Sequence, residues 1–338
     1  MHEKILNLAL DLSGITGKKI TDLDQIMLRT QILTMNARLE AARAGDVGKS
    51  FAIVAQEMGA VAGEVNELSA SLHSAIAENA TRIEAAGREM MLEYRGSRFA
   101  DLARNAVEII DRNLYERSCD VRWWATDSAV VDAVERPSPE ASAHATSRLA
   151  TILRSYTVYL DLWIADRNGT VIANGRPERY RTAVGSNVSG MDWFRKGLAA
   201  SDGDSFAVCD VEASPALDGA LVATYSTAIR AGGKTAGRAL GVLGIFFDWQ
   251  PQAEAIVQGV SLSEEERATS KVMLLDAKFR IIASSQPGTE GKSYPLQPTA
   301  DWGHYPSGNK LVAYGLTPGY ETYRGLGWYG CIESTVNA

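Results

Sequence analysis

No proline occurs before Pro137, and this absence limits the first 136 residues more than any other feature of the chain. Proline breaks helices and central strands alike, so a run of this length without it admits long uninterrupted helices. Aromatic residues are displaced the same way: of 7 Trp, 12 Tyr and 7 Phe, Phe51 alone lies within the first 90 positions. Such a segment suits a helical bundle and lacks the bulky side chains of a mixed sheet core. Its apolar residues recur at helical spacing, through Ile5, Leu8, Leu12, Ile15, Ile20, Leu23, Ile26, Met27 and Leu33 in a first arm. A second arm carries Phe51, Val54, Met58, Val61, Val65, Leu68, Leu72, Ile76 and Ile83. Steps of three and four make a coiled-coil seam. Between the arms, Gly45-Asp46-Val47-Gly48 supplies the residues of a tight helix reversal.

Charge and cysteine usage exclude several classes of function. Thirty-four Lys and Arg against 41 Asp and Glu give a net charge of −7, which leaves no cationic excess for a nucleic acid. Cys119, Cys209 and Cys331 are distant from one another and odd in number, so they form no disulfide framework and fit a reducing compartment. Four scattered histidines and no CxxC or HExxH motif argue against zinc, and nothing calls for a cofactor. The N-terminus lacks the pattern of a signal peptide, and the most apolar run, Ala239 to Phe247, is far too short to span a bilayer. A soluble, cytoplasmic protein with no direct membrane insertion is the expectation.

The first arm offers about 43 residues before the turn, so an antiparallel return can match it only to about residue 90. Helical character continues to roughly Val134, where Pro137 and Pro139 end it. A continuous helix over 49–134 would reach ~130 Å at 1.5 Å per residue, and Gly87 and Gly96 lead us to expect a break or hinge near 87–97. After a short helix at about Ala141 to Ser155, Leu162–Asn174 matches Val272–Ser284 at an offset of 110. Each copy reads as a buried strand ending in Asp, a short turn and a second strand. Leu221–Tyr225 against Leu311–Tyr314 and Gly241–Ile245 against Gly327–Ile332 keep the order, with a helix around Gln252 to Glu266 between the copies. The expected fold class is multidomain α and α+β: an antiparallel helical hairpin (a four-helix bundle on dimerisation), then a long helix and two tandem PAS-like α+β modules. The expected domains are the hairpin at 1–90, a connecting helix at 91–136, a first, ligand-binding module at 137–260 and a second module at 261–338.

The run from Asn36 to Glu57, Asn-Ala-Arg-Leu-Glu-Ala-Ala-Arg-Ala-Gly-Asp-Val-Gly-Lys-Ser-Phe-Ala-Ile-Val-Ala-Gln-Glu, resembles the cytoplasmic hairpin tip of bacterial methyl-accepting chemotaxis proteins. Glu40 and Arg43 stand i,i+3 and can pair on the helix surface. The resemblance implies a homodimer forming a four-helix bundle, trimers of such dimers, and binding to a CheA-type histidine kinase and a CheW-type adaptor. It implies that Leu28, Ile32, Met35, Asn36, Glu40 and Arg43 make the dimer–dimer contacts, and that Ile53 and its neighbours meet adaptor and kinase. Arg38, Ser50 and Gly59 depart from the family pattern, where an alanine, a glycine and an arginine are usual. No glutamate pair lies where adaptation methylation occurs in that family, so conventional methylation sites are not expected.

Residues 97–334 resemble a double Cache sensor, on the long helix, the Asp166-Arg167-Asn168-Gly169 hairpin, the Gly185–Phe194 loop and the Gly241–Ile245 strand. In amino-acid-binding members an Arg-x-Trp-Tyr motif, a following tyrosine and a late aspartate clamp the ligand. The same positions here read Met191-Asp192-Trp193-Phe194, Cys209 and Phe246. Without the arginine and the aspartate, a zwitterion's charges would lack partners, so the resemblance implies an uncharged or aromatic ligand, or none. Asp192, Asp210 and Asp248 would serve a cationic ligand, and Tyr225 completes the candidate lining. Asp161 and Asp166 read as a strand-edge and a turn carboxylate, not as an acid pair, and no catalytic set is found. Two readings remain: a soluble transducer that senses a small molecule and biases the kinase complex through its tip, or a ligand-free scaffold or adaptor-binding protein of a chemosensory array.

Overall fold

In the computed structural model, residues 2–336 are described, with side chains from residue 7 onward. They divide into two compact units, Met1–Arg95 and Gly96–Ala338.

The first unit is the antiparallel hairpin. Helix α1 (His2–Arg43) and helix α2 (Lys49–Trp124) flank a single 3₁₀ turn at Gly45–Gly48. Gly45 takes a left-handed φ of +62°, and a Cβ on Gly48 would lie 2.1 Å from the Ala41 carbonyl oxygen. Both glycines are therefore required by the reversal itself. The helices meet along a seam that repeats every seven residues: Ile20, Thr34 and Ala41 on α1, Gly48 at the end of the turn, then Ala55, Ala62 and Ser69 on α2 are buried. Met27 and Ile76 continue the same spacing half-buried. Small side chains thus line the inside of the hairpin and let the backbones approach.

Within a single hairpin only part of the expected seam is covered. Leu8, Leu12, Ile15, Leu23, Ile26, Leu33, Phe51, Val54, Met58, Val61, Leu68 and Leu72 are exposed, and of the α1 set only Ile20 is buried. The side chain of Ile5 lies outside the described residues. A seven-residue period leaves two apolar rows, and packing a pair of helices consumes only the narrower one.

A correction concerns the expected break near 87–97. Helix α2 is uninterrupted for 76 residues, and the chain breaks instead after Trp124. There the Asp127 side chain accepts the Ala129 N–H at 2.9 Å and starts a separate helix, α3 (Ser128–Glu135). Gly96 serves close packing: a Cβ on it would fall 2.4 Å from Nδ1 of His304. The connecting segment is therefore two helices, not one.

The second unit continues with α4 (Pro139–Ser155), capped by the Ser138 hydroxyl, and then two five-stranded antiparallel sheets. The first contains β1 (Tyr159–Asp166), β2 (Val171–Asn174), β3 (Ala207–Ser214), β4 (Ala220–Arg230) and β5 (Ala239–Asp248), ordered β2-β1-β5-β4-β3, with α5 (Asp192–Leu198) inserted before β3. Two helices then follow in place of the single expected one, α6 (Trp249–Gly259) and α7 (Glu264–Thr269), the latter with a Ser263–Glu266 capping box. The second sheet, β6 (Ser270–Leu275), β7 (Ile281–Ser284), β8 (Trp302–Ser307), β9 (Lys310–Leu316) and β10 (Tyr329–Thr335), is ordered β7-β6-β10-β9-β8. The two orders are the same by position, so the internal repeat is a duplication of topology.

The duplication extends to single residues. Trp163 pairs with Asn174 where Met273 pairs with Ser284, and both hairpins bulge at the same place, Ile164/Ala165 and Leu274/Leu275. Asp166 accepts the N–H groups of Asn168 and Thr170, as Asp276 accepts those of Lys278 and Arg280. The left-handed turn position is Gly169 in one copy and Phe279 (φ 59°) in the other.

One large core joins α2 from Phe99 onward, α3, α4, α6 and one face of each sheet. Inside it, the buried guanidinium of Arg117 pairs with Asp120 at 3.1 Å and lies over the Tyr159 ring. The other faces carry smaller cores of their own, around Trp193 in the first sheet and around Tyr314 in the second.

Candidate functional sites

At the hairpin tip every residue singled out for contacts faces outward. Leu28, Ile32, Met35 and Ile53 are half or more exposed, and Asn36, Glu40 and Arg43 are exposed as well. Glu40 and Arg43 are joined at 2.6 Å, an exposed pair that fixes side-chain direction more than it stabilises. Ile53 and Val54 with Met27, Met58 and Val61 line a shallow, almost wholly apolar groove in which Glu57 is the single charge. Gly59 is half-buried and a Cβ there would stand 3.3 Å from the Thr34 methyl, so a departure from the family pattern falls on a close helix–helix approach.

The sensor candidates separate onto the two faces of the first sheet. Trp193, Phe194 and Phe246 are buried together in one core, with Cys209 packed at its edge. The Trp193 and Phe246 centroids are 5.6 Å apart, edge to face, and Trp163 lies 4.6 Å from Phe246. Burial raises the Cys209 thiol above its ordinary pKa, so it behaves as a small apolar group.

The remaining candidates do not join this group. Tyr225 points to the opposite face, in the main core, where its hydroxyl is 3.3 Å from that of Tyr323. Strand alternation imposes this, because Val222 already faces Trp193. Asp210 is half-buried on β3, where its carboxylate accepts the Val211 N–H at 2.9 Å. Met191 is 49% exposed at the start of α5. Asp192 is exposed and ion-paired to Arg195, whose guanidinium holds the carboxyl below its usual pKa. Asp248 starts α6, its pKa raised by partial burial against the opposing field of Arg179 and Arg176.

Asp161 is not the strand-edge carboxylate the sequence suggested. It is fully buried and accepts five hydrogen bonds. Oδ1 takes the N–H groups of Leu162, Gly175 and Arg176, and Oδ2 takes the Trp163 indole N–H at 2.9 Å and the Asn174 amide at 2.8 Å. Burial outweighs the donors and leaves its pKa raised, although the Asn174 amide, the Leu162 and Arg176 N–H groups and the Trp163 indole pull it down. It ties β1 to the segment after β2 and fixes the Trp163 ring among the site aromatics. The one sequence signal was a lone acid inside the apolar run Tyr159-Leu160-Asp161-Leu162-Trp163-Ile164.

A second buried acid, Asp111 on α2, was not singled out at all. Its Oδ2 accepts the Gly319 N–H at 2.7 Å, while Oδ1 has no partner. Burial, with Glu108 adding to it, raises its pKa to about 6.

Among the described residues no group of three His, Cys, Asp or Glu is placed to hold a metal, the cysteines are free, and no helix is long and apolar enough to cross a membrane.

With this geometry in hand, comparison with known proteins is informative. Residues 11–113 match the methyl-accepting chemotaxis protein (MCP) signalling domain. The methyl-accepting chemotaxis aspartate transducer of Klebsiella aerogenes is 31% identical over 111 residues, 33% of this chain and 19% of that protein. Chemoreceptor McpA of Caulobacter vibrioides is 48% identical over 50 residues, 15% of this chain and 8% of that one. The alignments thus span less than a fifth of these relatives' length. In fold, the chain resembles the sensor domain of the Vibrio cholerae histidine kinase DctB (TM-score 0.52, 16% identity, 74% of this chain and 99% of that one). It also resembles the sensory domain of the Campylobacter jejuni chemoreceptor Tlp3 (TM-score 0.51, 17% identity, 73% and 94%).

Proposed function

We propose that this chain, a methyl-accepting chemotaxis protein signalling domain joined to a Cache-type sensor fold, is a cytoplasmic transducer that senses a small molecule and modulates a CheA-type kinase and CheW-type adaptor through its hairpin tip. The observation that carries the reading is the division of labour within the hairpin. Small side chains fill its inner seam, whereas Leu12, Ile15, Leu23, Ile26, Val61, Leu68 and Leu72 stay exposed. Covering such residues is worth roughly 1.5–3 kcal/mol for each side chain fully buried, so a second hairpin is the natural occupant and a four-helix bundle the product. The tip residues Leu28, Ile32, Met35 and Ile53 then remain for higher contacts.

Signalling by this route requires the ligand to bind two conformations unequally. Helix α2 contributes to both units without a break, which gives a ligand-dependent displacement of its C-terminal half a covalent path into the hairpin. The interlocked Trp193, Phe194 and Phe246 rings favour one alternative, a ligand-free scaffold, because a packed core leaves its own side chains as the occupants.

Co-sedimentation with kinase and adaptor tests the tip. Wild type is expected in the pellet, and Glu40→Lys and Ile53→Ala are expected to reduce it severalfold. Wild-type levels from both variants, or no binding by wild type, would remove the proposed role. A thermal-shift screen over amines, purines, amino acids and organic acids separates sensor from scaffold, since a scaffold is stabilised by none.

A further inference from the structure

The aromatic core behind α5 is not the place in the sensor where polar groups and open space coincide. One such place is a cleft of about 310 Å³ at the C-terminal end of α2, between the turn at 125–127, the loop before β3 and the turn joining β4 to β5. Arg122, Trp123 and Thr126 line one wall, and Arg230, Lys234 and Thr235 the other.

The cleft is a built feature. The Gly203 N–H donates to the Thr235 carbonyl at 3.0 Å, binding two of its loops together. Arg230 is buried, donating from one Nη to the Gly237 carbonyl at 2.8 Å and from the other to the Ala200 carbonyl. Its Nε has no acceptor, and a buried unpaired donor costs about 1–3 kcal/mol. Arg122 donates from Nε to the Ser118 carbonyl at 2.8 Å and lies over the Phe206 ring, while its two Nη atoms make only long contacts, 3.4 Å to the Asp204 carbonyl and 3.5 Å to the Ser118 hydroxyl and the Cys119 sulfur, and so keep donors for a ligand. Lys234 has no carboxylate partner among the described residues.

In a chain of net charge −7, three cations thus converge on one cleft whose only acidic lining residue is Asp204. A helix C-terminus ordinarily disfavours an anion, but here the Val121, Trp123 and Trp124 carbonyls are already taken by the N–H groups of Ala125, Thr126 and Asp127. Trp123, 68% exposed, adds a flat apolar wall, and Ala125 and Ala228 leave room beside it.

We infer that this cleft binds a small organic carboxylate with an apolar or aromatic body, the carboxylate between Arg122, Arg230 and Lys234 and the body against Trp123. The inference does not depend on the kinase reading, because it concerns binding alone. It places a ligand against the last turn of α2, the helix that begins at the tip turn.

Isothermal titration of the full chain with benzoate, benzamide and benzylamine tests it. Benzoate is expected to bind saturably at one site per chain, neutral benzamide at least tenfold more weakly, and cationic benzylamine not at all. Lys234 is exposed, so Lys234→Glu should fold as wild type by circular dichroism and melting, and Arg122→Gln, which gives up only the Ser118 and Phe206 contacts, should keep the wild-type spectrum with a slightly lower melting temperature. Each should weaken benzoate at least tenfold, the loss of one charge-assisted hydrogen bond. Equal binding of benzoate and benzamide, wild-type affinity in both variants, or no saturable benzoate heat up to about 10 mM would each overturn the inference.

Discussion

Two buried carboxylates show how differently one residue type can be treated. Asp161 is ringed by five donors, so removing the acceptor leaves several N–H groups unpaired in the core. Asp161→Ala is expected to lower stability by about 3–5 kcal/mol, and Asp161→Asn by less but still measurably, since its NH₂ must face a donor. Urea unfolding followed by tryptophan fluorescence checks both. Asp111 has one donor and a pKa raised to about 6 from an ordinary 3.8. A raised carboxyl pKa means that the folded state prefers the protonated form. Its stabilisation is therefore complete below about pH 4, declines as pH rises to 6, and is gone above that, a difference of at most about 3 kcal/mol. Asp111→Asn should lack this slope relative to wild type and be the more stable protein at pH 7.5. A pH series of melting curves on both proteins reads the difference. Asp161 left a trace in the sequence as an acid within an apolar run; Asp111, on an ordinary helical stretch, left none.

Among the elements, the hairpin shows where pattern suffices and where it stops. The turn at Gly45–Gly48 could be read from its glycines, and the structure uses both. Spacing could identify the arms as helical but not decide which of two apolar rows would face inward, because both have helical period. The choice falls to size: Ala55 and Ala62 let the helices approach where Leu68 or Val61 would hold them apart. Ala62→Leu should therefore overpack the inner seam and destabilise the hairpin by about 1–3 kcal/mol, seen as an earlier loss of helical circular dichroism on heating. The end of α2 was misread for a similar reason. Gly96 invites a bend in sequence, yet in the fold its missing Cβ accommodates His304, while Asp127, a plain capping residue, makes the break. The β-hairpins at 162–174 and 272–284 were the most legible elements, since an Asp accepting two turn N–H groups is a local device needing no tertiary partner.

On the scale of the whole molecule, the exposed apolar row of the hairpin predicts self-association. Sedimentation equilibrium is expected to give a dimer, and Leu23→Asp with Leu68→Asp, both in exposed positions, should return the monomer with its helical content lowered. A monomeric wild type would leave that row without its proposed cover. The sequence by itself determined that a proline-free helical hairpin precedes a duplicated α+β unit, because proline, glycine and alternation act locally and repeat visibly. Only the tertiary structure decided that Tyr225 turns away from Trp193, that Asp161 is a buried knot, and that Arg122, Arg230 and Lys234, spread over more than a hundred positions, surround one cleft. Which face a strand residue takes, and which distant loops meet, depend on the packing of layers that no local pattern encodes.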